Sequence, residues 1–145
     1  MTDRIIEQHI HIPDGCYMTN RVLPIKHLSK MPHVRVFLDG LLTLTLDKDL
    51  TGQDIRVFWI CVSEMEYENF LDKTQSQLAS IAEIKQPDIA KSLKKLLDKG
   101  FMRIIGQKGR QNVYRINPYI VLKSRAKNLS GLIEDWDTQD GEGVA

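Results

Sequence analysis

Cysteine is nearly missing from this 145-residue sequence: only Cys16 and Cys61 occur, 45 positions apart. Two thiols cannot build a disulfide framework or a four-thiolate zinc site, and such sparing use fits a reducing cytoplasm. Long apolar runs are missing too. The longest covers residues 57–62, whereas a membrane-spanning helix needs roughly 20 residues. Asp3 and Glu7 interrupt the N-terminus before any apolar stretch, so neither a signal peptide nor an anchor is expected and no membrane partner is implied. No glycine-rich phosphate loop occurs, because Gly100, Gly106 and Gly109 fall at a helix cap and in a turn. No Ser-His-Asp or Cys-His arrangement stands out. Net charge is also nearly absent: 20 Lys and Arg face 19 Asp and Glu, for a formal +1. What is present is 42% hydrophobic residues, enough for one ordinary domain that buries about 70% of its unfolded surface.

The small net charge is a cancellation. Residues 1–84 hold 8 basic and 12 acidic side chains, residues 85–127 hold 12 basic and 2 acidic, and residues 128–145 hold 5 acidic and none basic. An excess of +10 within 43 residues is an electrostatic footprint for phosphates, since neutralising them releases condensed counterions.

Local signals place this segment in a fold. Gln8-His9-Ile10-His11-Ile12 alternates like a strand, Pro13-Asp14-Gly15 reads as a turn, and residues 16–25 read as a second strand. Residues 34–46 contain the hairpin signal Asp39-Gly40, yet Phe37, Leu38, Leu41, Leu42 and Leu44 share one helical face, so a helix is expected. Thr51 and Asp54 form a capping box ahead of Ile55, Phe58, Trp59, Val62 and Met65 at helical spacing. Val57, Ile60 and Cys61 make the other faces of that helix apolar, which calls for cover by the N-terminal segment or a second subunit.

Thr74 and Gln77 form another capping box, opening a short helix that buries Leu78, Ile81 and Ala82. After a turn at residues 83–86, Pro87 and Gly100 bracket a third helix. Residues 101–105 and 113–117 then read as a hairpin around a polar loop, 106–112. From Asn128 the acidic composition reads as a mobile tail with Trp136 exposed.

Helix, short helix, turn, longer helix and basic hairpin is the order of a winged helix-turn-helix domain. The expected fold is α+β and mainly helical, with an N-terminal extension (1–33), a winged-helix domain (34–124) and a flexible basic-to-acidic tail (125–145). In the third helix Ile89, Leu93, Leu96 and Leu97 form the packing face, and Lys91, Lys94 and Lys95 point away from it. Such a helix fits the major groove, where Gln86 at its start can pair with adenine; Lys85 lies beside it. Thr74, Gln75 and Ser76 offer donors to the DNA backbone. The hairpin tip offers Gln107, Lys108, Arg110, Gln111 and Asn112, of which Arg110 suits a narrow minor groove. The expected partner is double-stranded DNA read in paired half-sites by a homodimer.

Several segments carry a family resemblance: Leu50-Thr51-Gly52-Gln53, Met65-Glu66-Tyr67-Glu68-Asn69-Phe70, Thr74-Gln75-Ser76-Gln77-Leu78-Ala79, Lys85-Gln86-Pro87-Asp88-Ile89, Leu96-Leu97-Asp98-Lys99-Gly100-Phe101 and Tyr114-Arg115-Ile116-Asn117-Pro118. Over roughly residues 34–124 the sequence resembles the small winged-helix replication initiator (Rep) proteins of bacterial plasmids. The middle segments are shared with winged-helix repressors, and Glu-Tyr-Glu-Asn and Ile-Asn-Pro lean towards the initiators. Ile89-Ala90-Lys91 departs from a common Val-Ser-Arg, removing a hydroxyl and a bidentate guanidinium. The resemblance implies origin binding and recruitment of host replication proteins, or copy control, without catalysis or cofactor. The alternatives are a transcriptional repressor and a protein-interaction module whose acidic tail masks the basic face. His9-Ile10-His11 has the spacing of the metal pair of rolling-circle nickases, but Tyr119 and Lys123 are one residue too far apart for the usual nucleophile pattern. The imidazoles read as surface groups on a strand, and no metal is expected.

Overall fold

The computed structural model describes residues 32–124 and 128–141, together with 4–5, 11–12, 14, 16–18 and 22–24. The chain divides into two compact units, Met1–His33 and Val34–Ala145. In the first, β1 (Arg4–Ile5) pairs antiparallel with β2 (His11–Ile12), and β3 (Cys16–Met18) pairs antiparallel with β4 (Val22–Pro24). The single strand expected over residues 16–25 is thus a hairpin, with Met18 opposite Val22. Gln8, His9, Ile10, Pro13 and Gly15 lie outside the described residues, as do 125–127 and 142–145.

The second unit opens with β5 (Arg35–Val36) and α1 (Leu38–Leu46), so the helix expected over 34–46 begins four residues later. Its apolar residues do not share one buried face. Gly40 and Leu44 are buried, whereas Leu38, Leu42 and Leu46 stand 79%, 55% and 66% exposed. Gly40 is required by packing: a Cβ there would lie 2.5 Å from the Tyr119 carbonyl oxygen and 2.6 Å from Ile120 Cα.

Helix α2 (Gly52–Glu64) starts at the Thr51 and Asp54 capping box and forms the centre of the unit. Val57, Phe58, Cys61 and Val62 are buried, and Ile55, Trp59 and Ile60 pack half-buried against the same core. Its all-round apolar character is therefore consumed within the chain, and no second subunit is needed to cover it. Burial pushes the Cys61 thiol up to about 12, which leaves it a small apolar side chain. A 3₁₀ turn (Tyr67–Asn69) leads to β6 (Phe70–Leu71). Asn69 is fully buried and satisfied: its amide donates to the Ile116 and Val121 carbonyls, at 3.0 and 2.8 Å, and its oxygen accepts from the Lys123 amide at 2.9 Å. This hub accounts physically for the asparagine of the Glu-Tyr-Glu-Asn segment.

Helix α3 (Gln75–Ala82) begins at the Thr74 and Gln77 capping box and ends at Glu83 in the left-handed region. Leu78, Ala79 and Ala82 are its buried residues, while Ile81, expected in the core, is 41% exposed. Helix α4 (Gln86–Asp98) carries Pro87 in its first turn, and Gly100 follows at φ +79°. Strands β7 (Met102–Lys108) and β8 (Gln111–Ile116) form the wing, and β6, β8 and β7 make a three-stranded antiparallel sheet in that order. The polar loop expected over 106–112 is mostly strand. Lys108 pairs with Gln111, which leaves a two-residue turn of Gly109 and Arg110 with Gly109 at φ +66°. Strand β9 (Val121–Leu122) closes the unit against β5.

The segment expected to be a mobile tail contains helix α5 (Leu129–Gly141). Leu132 and Trp136 are buried, Trp136 at 4% exposure, because they pack where the Arg103 guanidinium sits 3.7 Å from the indole centroid. The Tyr119 hydroxyl also donates to the Asp137 carboxylate at 2.9 Å.

Candidate nucleic-acid interface

Three elements carry the exposed polar and basic side chains. The start of α3 and the tip of the wing line a cleft of about 510 Å³ between Lys73, Thr74 and Gln75 on one side and Arg110, Gln111, Asn112 and Tyr114 on the other. Helix α4 supplies the adjacent basic surface: Lys85, Gln86, Lys91 and Lys94 are exposed. Lys91 and Lys94 have no side-chain partner among the described residues, which leaves both ammonium groups to solvent or a ligand.

Asp72 sets the wing tip. Its carboxylate accepts from Gln111 Nε2 at 2.6 Å and from Lys108 Nζ at 3.2 Å, so the two residues flanking Gly109 and Arg110 are tied to the segment just before α3. Lys108 and Gln111 therefore serve first to position the tip. Asn112 accepts from Gln107 Nε2 across the ladder at 3.3 Å. Arg110 stands at the turn, exposed, as the tip's outward cation. On α3 the Thr74 hydroxyl accepts the Gln77 amide at 3.0 Å, leaving its own proton to donate. Gln75 and Ser76 occupy the first two helical positions, whose amides an α-helix leaves without intrahelical acceptors.

Lys95 departs from expectation. Its Nζ lies 2.9 Å from Asp54 Oδ2 and donates to the Asp49 carbonyl at 3.1 Å. Ser92, one turn earlier on α4, is buried and donates to Asp54 Oδ1 at 2.7 Å. A buried Ser92 rotates the packed sector of α4 towards Lys95, which the apolar residues alone did not reveal. Burial raises the Asp54 pKa, but hydrogen bonds from Lys95, the Thr51 amide and Ser92 outweigh it and hold the carboxyl at about 2. One turn on, Lys99 bridges Asp47 at 3.1 Å and Asp49 at 2.5 Å. Hydrogen bonding to Lys99 lowers Asp49, and the same contacts raise Lys99. This flank of α4 is thus fastened to the loop before α2 and to its cap.

The sequence reading missed Lys73, Asp72 and Tyr114 at the cleft. Lys73 was findable as the basic residue directly before the α3 cap, whereas the role of Asp72 depends on partners 36 and 39 positions away. The acidic segment read as a tail contains α5, which packs on Arg103, whose side chain leaves the opposite face of the wing sheet from its buried neighbour Met102. Among the described residues no group of three or more His, Cys, Asp or Glu is placed to hold a metal ion, and no helix is long and apolar enough to cross a membrane.

A profile of the family described as Firmicute plasmid replication protein (RepL) matches residues 7–143. The chain belongs to the RepL family. No curated protein matches it. Among solved structures, the RepL-family chain is similar to TrmBL2, an archaeal chromatin protein whose structure is described as showing a novel mode of DNA binding. The identity is 24% and the TM-score 0.39, over 72% of this chain and 36% of that one. It is also similar to a possible transcriptional regulator from Methanosarcina mazei Go1, at 16% identity and TM-score 0.38, over 77% of this chain and 91% of that one. The chain spans about a third of the length of the chromatin protein. Membership of RepL places this winged-helix chain among plasmid replication proteins.

Proposed function

We propose that this RepL-family chain binds double-stranded DNA sequence-specifically at a plasmid origin, in the cytoplasm, and there recruits host replication proteins. The observation that carries the reading is the cleft between the α3 start and the wing tip, together with the exposed lysines of α4. In this arrangement Gln86 and the Lys91 and Lys94 side of α4 enter the major groove, Arg110 reaches the neighbouring minor groove, and the cleft of Thr74, Gln75 and Asn112 takes the intervening backbone. Lys85 and Ser76 lie at the edges of the same surface. Specificity rests on few of these, since lysines mainly hold phosphates.

The chain acts as a homodimer in this reading, through α1 and not α2. Leu38, Leu42 and Leu46 recur every fourth residue and are exposed, which makes a self-complementary stripe for an antiparallel copy of the same helix. Leu42→Asp is expected to convert a dimer to a monomer by sedimentation, and a wild-type monomer at micromolar concentration removes the dimer.

The test of the main reading is footprinting on the replicon's own origin DNA. Protection of defined repeats, lost when Gln86 and Arg110 are replaced by Ala, is the expected result; uniform protection of any duplex, unchanged by those replacements, contradicts it.

A further inference from the structure

The outer face of the wing sheet carries one notable side chain per strand. Phe70 on β6 pairs with Arg115 on β8, and Arg115 pairs with Arg103 on β7, so the three lie in a row across the strands. The Arg115 guanidinium stacks on the Phe70 ring at 4.6 Å and Arg103 on the Trp136 ring at 3.7 Å. Arg115 is only 7% exposed, and its Nε has no hydrogen-bond partner among the described residues.

Packing alone does not account for this row. Like charges directly opposite each other across a ladder repel, and a buried guanidinium with an unused donor is costly. The neighbouring row on the other face, Leu71, Tyr114 and Ile104, carries no charge; Leu71 and Tyr114 are buried and Ile104 is 39% exposed. Two adjacent guanidinium groups flanked by aromatic faces are what phosphodiesters and unpaired bases require: charge for the backbone and rings for stacking. Helix α5 now supplies substitutes for both. The Trp136 ring lies over Arg103, the Trp136 carbonyl accepts from Arg103 Nη1, and the Asp135 and Glu68 carboxylates support the Arg115 charge against its burial.

We propose that Phe70, Arg115 and Arg103 form a binding site for single-stranded DNA, held shut by α5, which imitates a short nucleotide strand with its indole, carbonyl and carboxylate groups. A paired duplex does not expose base faces for Phe70, so the ligand is a single strand. The site is on the opposite side of the sheet from the packed face and is separate from the duplex-binding reading of α4, so either can fail alone. It would hold a single strand when α5 lifts.

The test uses the full-length chain and a fluorescent fifteen-nucleotide oligo(dT) in an anisotropy titration. Trp136→Ala removes the ring over Arg103 and is expected to raise affinity about tenfold, the scale of one base-stacking contact. Adding Arg103→Gln and Arg115→Gln is expected to abolish that gain. Unchanged affinity in W136A overturns the proposal, as does a gain that survives loss of both arginines. An independent readout avoids reliance on α5 variants: in a Trp59→Phe chain Trp136 is the sole tryptophan, and oligo(dT) is expected to shift its emission to the red as the ring leaves the sheet. No shift at roughly tenfold the concentration that saturates W136A would also overturn it. Duplex affinity, measured in parallel, is expected to stay within about twofold of wild type in W136A. A loss of duplex binding by K91A/K94A with the single-strand results intact would separate the two sites.

Discussion

Lys91 and Lys94, and Lys95 and Lys99, lie within a single thirteen-residue helix and its cap, yet they are used differently. The first two are exposed and have no partner among the described residues, whereas the second two are engaged by Asp54, Asp47 and Asp49. Charge counting treats the four alike. The structure gives one pair to the surface and the other to the junction with α2, where the lysines hold α4 at a fixed angle to the core. Basic excess in a segment therefore overstates the charge available to DNA, here by the part the fold uses to orient itself.

Five variants, one of them followed through a pH titration, would break or sharpen that contrast. The largest effect is expected from Lys91→Ala with Lys94→Ala: duplex affinity falls about 100-fold at low salt, and the log–log salt slope falls by about two, one for each phosphate that the variant no longer neutralises. Unchanged slope by filter binding would show that the exposed pair is as uninvolved as the engaged one. Next in size is an acid effect on stability. Asp54 sits at about 2 when folded against an ordinary 3.8. Because the folded value is depressed, its contribution is complete above the unfolded value and is lost as pH falls from about 5 to about 2, amounting to about 2 kcal/mol. Denaturant midpoints of wild type and Asp54→Asn should converge across that window; parallel curves would mean that the junction does not depend on the carboxylate's charge. Lys95→Ala is expected to cost about 1 kcal/mol of stability, discounted because the lysine side chain is 37% exposed, while leaving the salt slope as it was. The smallest effect belongs to the wing: Arg110→Ala should lower the slope by about one, and Lys108→Ala by less, since Asp72 already engages that ammonium.

The elements legible in sequence are those with local punctuation. Both capping boxes, Pro87 and Gly100 fix the starts and stops of α2, α3 and α4 through contacts within four residues. What escaped depends on distance or on composition overriding pattern. Ser92 and Lys95 reach Asp54 across 38 and 41 positions, so no local window shows that Lys95 is engaged. The bases of the wing strands were legible, but their outer parts escaped because both faces of an exposed ribbon are polar towards the tip, and the alternation that marks a half-buried strand is lost from Gly106 to Asn112. Helix α5 is different, since its signal was present: Leu129, Leu132, Ile133 and Trp136 follow i, i+3, i+4 and i+7. Five acidic residues without a basic one in the last eighteen made that pattern easy to read as disorder. At the cleft, the cap of α3 and the basic tip were legible, but Asp72, which brings them together, was not.

The pairing of β5 with β9 joins residues 35–36 to residues 121–122, and Gly40 lets α1 lie against the backbone at Tyr119 and Ile120. On the ribosome, the start of this unit must wait for a partner made more than eighty residues later. Until then α1 presents Leu44 as well as its outer leucines to solvent, a window for chaperone capture or premature association. A stalled or truncated product ending before Val121 would lack the closing strand altogether.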